Sequence, residues 1–214
     1  IHLAAITDAA GTHDKAEELE ENNYKSTEKV ASACLETGAS LIALSSTSVY
    51  GTQKDVVDEN CSEDELQPQS PYAKTKLKEE ELVSRLFQEQ GLKAVHCRFG
   101  TIFGVSPGMR FHTAVNKFCW QAAMGVPISV WKTAYDQKRP YLDLEDGINS
   151  IIFVINKDLF NSDIFNILTI NTSVKEIILL IKNYVNHIKI EYVDSKIMNQ
   201  LSYEVSNKKI VKKG

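Results

Sequence analysis

Tyr72 and Lys76 follow directly on Ser70-Pro71. Serine is a preferred N-cap and proline a preferred first helical residue, so the pair belongs to the opening turns of a helix. Residues at i and i+4 share one helical face, which sets an ammonium beside a phenol. A nearby positive charge favours the phenolate and lowers a pKa that starts at about 10. Such a phenol can take a proton from a hydroxyl, or return one to a ketone, near neutral pH. Taken alone the spacing is common, and a surface tyrosine with a lysine nearby is its plain reading. A second cluster adds weight. Ser45-Ser46-Thr47-Ser48-Val49-Tyr50-Gly51 follows a short apolar run, and the carboxyl end of a strand is where open parallel sheets bind ligands. A hydroxyl there can bond the same oxygen that Tyr72 titrates. The competing reading is a polar strand exit whose serines cap backbone groups.

These residues need elements to position them. Ile1–Ala5 reads as a short buried strand. Glu17–Thr37 reads as a helix, with Val30, Ala31, Cys34 and Leu35 at helical spacing and Gly38 as its stop. Ser40–Ser45 is a buried strand by length and context. Gly51–Gln69 is polar and acidic, a loop. The helix from Ser70 turns Leu82, Val83, Leu86 and Phe87 to one face and ends at Gly91, and Ala94–Phe99 is again a strand. Strand–helix–strand–helix–strand implies an α/β fold with a parallel sheet covered on both faces. After Gly100 the texture changes. Gly104, Pro107 and Gly108 punctuate a loop, and a helix is expected around His112–Met124. A strand at Pro127–Trp131, a helix over Glu145–Asn156 and a strand at Asp163–Ile167 follow. Ser173 and Glu176 match a capping box opening a helix to Val185, and Lys189–Val193 is a last strand. This smaller mixed region is expected to sit beside the parallel sheet.

Composition narrows the function classes. The chain has 214 residues, 43% of them hydrophobic, enough for a substantial core. A net charge of -4 without a long basic stripe speaks against nucleic acid. Lys208, Lys209, Lys212 and Lys213 read as a solvated surface. The apolar runs Ile151–Ile155 and Ile177–Ile181 are far short of a membrane span. Cys34, Cys61, Cys97 and Cys119 lie far apart and form no CxxC pair. No metal site or disulfide framework is expected, and a reducing cytoplasm fits. The chain opens on Ile1-His2-Leu3-Ala4-Ala5, without methionine or a charged leader, and is read as a fragment.

Several segments together carry a family resemblance. Ser45-Ser46-x-x-Val49-Tyr50-Gly51, an acidic loop and Ser70-Pro71-Tyr72-x-x-x-Lys76 resemble the extended short-chain dehydrogenase/reductases, specifically the nucleotide-sugar epimerase/dehydratase group. Further pieces follow in family order. His2-Leu3-Ala4-Ala5 resembles the end of the fourth sheet strand, beside the cofactor. Asn23-Tyr24-Lys25-Ser26-Thr27 resembles Asn-x-x-Gly-Thr, with Ser26 in place of glycine. Arg98-Phe99-Gly100-Thr101-Ile102-Phe103-Gly104 resembles Arg-x-x-Asn-Val-Tyr-Gly, with Thr101 at the usual asparagine. Arg139 to Asp146 and Phe165-Asn166-Ile167 with the helix after Ser173 resemble late family segments. The resemblance covers nearly the whole chain.

The resemblance implies a Rossmann-like doubly wound parallel sheet, its N-terminal part missing, with a small C-terminal α/β substrate-binding region. Residues 1–104 would be the rest of the NAD(P)-binding domain. Residues 105–214 would mainly bind substrate, with some elements returning to the core. Tyr72 would be the acid/base, Lys76 would bind the nicotinamide ribose and lower the tyrosine pKa, and Ser46 would be the hydroxyl partner, with Thr47 the fallback. Leu3, Ala4, Ala5, Asn23 and Phe99 would meet the cofactor, NAD or NADP. Thr47, Thr101 and Arg139 would meet substrate, Arg139 at the nucleotide diphosphate, where a guanidinium fork suits phosphate. The family's glycine-rich phosphate loop is not in this sequence. The 214 residues alone are therefore expected to bind dinucleotide weakly and to turn nothing over.

The resemblance also sorts reactions. Dehydratases of the group carry Asp-Glu where Thr47 and Ser48 stand. Decarboxylating members carry glutamate at Ser48, and members that epimerise beside a stable ketone carry cysteine there, with a histidine that His112 does not match. What remains needs only serine, tyrosine and lysine: 4-epimerisation of a nucleotide-diphosphate sugar through a transient keto sugar, or reduction of a keto sugar by NAD(P)H. A dinucleotide-sensing protein without catalysis is the reading from another class, and it would be expected to lose Tyr72 or Lys76. Family members dimerise through two helices, here Glu17–Thr37 and Ser70–Gln90, so the partners implied are a nucleotide-sugar substrate and a second copy, with no nucleic acid and no membrane.

Overall fold

The computed structural model describes residues 1–7, 16–194 and 202–214. Its centre is a parallel sheet. Strand β1 (Leu41–Ser46) lies beside β3 (Ala94–Phe99), and β3 beside β7 (Asn161–Ile167). His2 extends this sheet on the far edge of β1 by a single parallel bridge to Ala43, its N–H donating to the Ile42 carbonyl at 2.9 Å. The expected strand over Ile1–Ala5 is thus corrected to one residue. A strand exists by pairing, and here only β1 is there to pair with; Ile1 and Leu3 stay 61% and 63% exposed.

Alternation along β1 and β3 feeds two faces, as a sheet buried on both sides requires. Leu41, Ala43 and Ala94 pack with Ala31 of α1 (Ala16–Thr37) and Val83 of α2 (Pro71–Gln90). Ile42, Val95, Cys97 and Phe165 pack on the opposite face with Val154 of α4 (Leu144–Asn156). The sheet is doubly wound, with helices on both sides. Helix ends follow the local chemistry. Ser70 caps α2 by accepting from the Ala73 N–H at 3.1 Å, and Gly91 closes it in a left-handed conformation at φ 74°. Ser173 and Glu176 form the expected capping box at the start of α5 (Val174–Lys182).

The remaining strands make small sheets. β4 (Thr101–Phe103) runs parallel to β6 (Lys138–Asp143), which pairs antiparallel with β8 (Ile170–Ser173). β5 (Ile128–Trp131) pairs with β9 (Ile190–Val193), and the short β2 (Val56–Val57) with β10 (Glu204–Val205). A second core gathers Phe118 of α3 (Ala114–Ala123), Ile128, Val130, Tyr141 and Ile178. A last turn of helix, α6 (Lys208–Val211), packs Ile210 against the central core.

Sequence patterning misses β4, β6, β8, β10 and α6. Each is at most six residues long. β6 opens Lys138-Arg139-Pro140, a poor strand start by propensity. Within β6, Tyr141 and Leu142 are buried against different cores. The segment read as loop, Gly51–Gln69, also holds β2 and a short 3-10 turn at Glu63–Glu65.

Candidate active site

A cleft of about 490 Å³ opens at the carboxyl ends of β1 and β3. Ser46 and Phe99, the last residues of those strands, stand directly opposite one another in register and both line it. Tyr72 and Lys76 reach it from the first turns of α2, Leu3 and Ala5 from the N-terminal segment, and Thr101 from β4. Separate elements thus bring the phenol, the ammonium and the serine hydroxyl to one wall-lined space. The geometry comes from the Ser70 cap, which fixes where α2 begins, and from the length of β1, which fixes where Ser46 leaves the sheet.

Ser46 does two things. Its Oγ accepts from the Ser48 N–H at 3.2 Å, capping the turn Thr47–Tyr50, and it lies 2.9 Å from Ser48 Oγ. Thr47 points elsewhere. It is 2% exposed, donates to the Phe99 carbonyl at 3.3 Å and meets the Tyr203 hydroxyl at 3.3 Å. Thr47 is not among the residues that line the cleft.

The phenol of Tyr72 is pushed up to about 12, chiefly by burial and then by the charge of Glu79, with Arg110 opposing. Lys76 is not among the groups that set this shift. Lys76 is 4% exposed and its Nζ stands 5.8 Å from the Tyr72 ring centroid, but it donates to Glu79 Oε2 at 2.9 Å. The ammonium is spent on a buried carboxylate of its own helix rather than on the phenol. The same Glu79 oxygen accepts from Thr27 Oγ1 at 2.9 Å, and Thr27 Oγ1 meets His2 Nε2 at 3.0 Å. The single hydroxyl proton of Thr27 goes to Glu79, so Nε2 of His2 carries the proton in that contact. Burial, and then the Lys76 charge, lower the His2 pKa and keep the ring neutral.

A second buried network fixes α2 against the sheet. Arg98 donates from Nε to Glu80 Oε1 at 3.0 Å and from Nη2 to Oε2 at 2.7 Å, a two-pronged pair. Its Nη1 reaches the Tyr50 hydroxyl at 2.9 Å, which donates to Asn166 Oδ1 at 2.9 Å. Burial alone would raise the Glu80 carboxyl, but the bonds and charge of Arg98 outweigh it and hold it below its ordinary value. This network ties α2, β3, β7 and the turn after Ser46 together, so it sets the distance across the cleft.

Three further expected residues lie away from the cleft wall. Asn23 is buried on α1, where its Oδ1 accepts from the Ile6 N–H at 2.8 Å and its Nδ2 donates to the Ile6 carbonyl at 3.0 Å. It clamps the chain leaving the sheet. Ala4 is exposed and faces away from the cleft lined by Leu3 and Ala5, as alternation along an extended segment requires. Arg139 lies on β6, with Nη2 3.5 Å from Gln137 Oε1, and does not line the cleft. Sequence reasoning missed Glu79, Glu80, Thr27 and Arg110. The i,i+3 spacing of Lys76 and Glu79 was the available signal for the first.

The model of the NAD dependent epimerase/dehydratase family matches residues 1–167. The chain therefore belongs to that family. A curated protein of Bacillus subtilis (strain 168), described as an uncharacterized UDP-glucose epimerase, is 30% identical over 149 residues, which are 68% of this chain and 45% of that protein. The chain thus spans under half the length of this relative. Among solved structures, the UDP-glucose 4-epimerase of Thermus thermophilus in complex with NAD superposes with a TM-score of 0.84 at 21% identity, covering 99% of this chain and 70% of that one. The UDP-glucuronic acid 4-epimerase of Bacillus cereus in complex with UDP-glucuronic acid and NAD gives 0.86 at 22% identity, over 99% and 67%. These likenesses establish the shared fold.

Proposed function

We propose that the protein to which this chain belongs is an NAD-dependent epimerase, of the 4-epimerase type, acting on a nucleotide-diphosphate sugar. The observation that carries this is the meeting of Tyr72, Lys76 and Ser46 on one cleft at the carboxyl ends of parallel strands. The residues present suit a nicotinamide cofactor. Leu3 and Ala5 give a small apolar wall, and Lys76 supplies a buried ammonium beside it, suited to ribose hydroxyls. When bound, a nicotinamide supplies the acceptance and return of hydride. The chain supplies the proton chemistry. Tyr72 takes the proton from a sugar hydroxyl and returns it, while Ser46 holds the same oxygen by a hydrogen bond. Thr47 and Ser48 stand where dehydration would need acidic residues, which favours simple epimerisation.

Residues 1–104 are read as cofactor-binding and 105–214 as mainly substrate-binding. A homodimer through α1 and α2 is proposed on the family pattern; those helices pack side by side and carry an exposed ion pair between Lys78 and Glu20 at 2.5 Å. The four cysteines stand as free thiols, which suits the cytoplasm. No helix of the described residues is long and apolar enough to cross a membrane.

The test uses protein expressed from the complete gene, incubated with NAD and a panel of UDP- and dTDP-sugars, with product read by NMR. A C4 epimer formed without net change in NADH absorbance is expected. Net oxidation of NADH with a keto sugar would replace the epimerase by a reductase, and Tyr72→Phe should slow either by orders of magnitude.

A further inference from the structure

Of the described residues that line the cleft, none is acidic, and two are strong bases, Lys76 and Arg110. Lys76 is buried and donates to a carboxylate of its own helix. Arg110 differs. It is exposed on the loop after β4, and no carboxylate among the described residues pairs with it. Its Nη1 donates to the hydroxyl of Thr7, a neutral partner. The backbone beneath it is braced. Asn116 of α3 is buried; its Nδ2 donates to the Arg110 carbonyl at 3.1 Å and its Oδ1 accepts from the Gly104 N–H at 3.1 Å. One side chain thus pins both ends of the loop 104–110. Thr113 Oγ1 donates to the same Arg110 carbonyl at 3.3 Å. A guanidinium on a braced loop, at a wall without counter-charge, suits an anionic ligand.

A nucleotide-diphosphate sugar can offer an anion in two places: the diphosphate at C1, or a carboxylate carried by the sugar. Position separates them. Thr7 lies two residues beyond Ala5, in the segment that walls the cleft on the side suited to the nicotinamide. The Arg110 charge also bears on the Tyr72 phenol. Arg110 therefore stands at the reacting end. The hydroxyl that Tyr72 titrates in a 4-epimerase is on C4. C5 and its substituent are adjacent to C4, whereas C1 lies across the ring. We propose that Arg110 recognises a carboxylate on C5 of the sugar, so that the substrate is a nucleotide-diphosphate uronic acid. The proposal rests on the 4-epimerase reading above. Thr101 and Ser106, in the same wall, add hydroxyl donors. An acidic side chain in that wall would repel such a substrate, and the described wall holds none.

The test is calorimetry on protein from the complete gene, saturated with NAD and titrated with UDP-glucuronate, UDP-glucose and UDP. The parent should bind UDP-glucuronate at least about tenfold more tightly than UDP-glucose, as a charge-assisted bond to one carboxylate implies. Arg110→Met keeps the aliphatic stem and removes the charge, and there the ratio should fall to about one. Arg110→Lys keeps the charge without the fork and should give an intermediate ratio. A parent without preference for UDP-glucuronate overturns the proposal, and so does an Arg110→Met variant that keeps the preference. Equal losses of affinity for UDP, UDP-glucose and UDP-glucuronate in Arg110→Met also overturn it, because they assign Arg110 to the diphosphate. Binding needs no turnover, so this result is read apart from the epimerase reading, which the NMR panel tests.

Discussion

Tyr72 sits beside a cation and is still harder to ionise than a free phenol. Two opposing effects decide this. Burial and the charge of Glu79 disfavour phenolate, and together they outweigh the opposing charge of Arg110. The spacing of Tyr72 and Lys76 was legible in the sequence, and so was that of Lys76 and Glu79; the burial of that pair was not, because a Lys/Glu-rich helix face reads as solvent-exposed until the fold buries it. Ser46 was legible for a simpler reason: it ends a strand, and strand ends are set by apolar run length. At this scale the first prediction is catalytic. Tyr72→Phe removes the proton-transfer oxygen and little else, so kcat should fall by about 10²- to 10⁴-fold. Binding of the nucleotide sugar, measured by calorimetry, should stay within error of the parent. A variant that keeps near-parental kcat would remove Tyr72 from the mechanism.

At the scale of elements, α2 is the piece that must not move. Its start is held by Ser70 and its body by the Arg98–Glu80 pair, so both ends of the cleft depend on it. Ser70→Ala should cost about 1 kcal/mol in denaturant unfolding, the usual worth of a lost N-cap. Glu80→Gln leaves Arg98 buried with half its partner and should cost about 3–5 kcal/mol, with loss of activity through a displaced Tyr72. Gly51 closes the turn after Ser46 at φ +64°, and a Cβ there would lie 2.0 Å from the Gln67 carbonyl oxygen. Gly51→Ala is therefore expected to loosen the loop that follows the turn capped by Ser46, seen as faster proteolysis between residues 51 and 69. The helices were legible in the sequence because their caps are local chemistry. Asn23 was legible as a position, but its two bonds to Ile6 were not, since they join residues far apart in sequence. The strands β4, β6 and β8 were not legible for the same reason: their patterns are short, and pairing across long sequence separations makes them strands.

For the whole molecule, the buried imidazoles of His2 and His96 link folding to pH. Burial lowers both pKa values below the ordinary 6.5. The unfolded chain therefore binds protons at these positions before the folded one does, and folding stability drops as pH falls through and below the unfolded value. Glu79 acts in the opposite sense, since its raised carboxyl takes up a proton in the folded state first. The raised Glu59 carboxyl acts in that sense too, while the lowered Glu80 carboxyl acts with the histidines; the two raised carboxyls start from 4.5, below the 6.5 of the imidazoles. Stability should thus be full above about pH 7 and decline toward pH 5.5. His96 is the better probe, because it is 1% exposed and stands outside the contact between His2 and Thr27. In His96→Gln the urea midpoint measured at pH 5.5 should lie closer to that at pH 7.5 than it does in the parent. An equal or steeper pH dependence in the variant would assign the acid sensitivity to other groups.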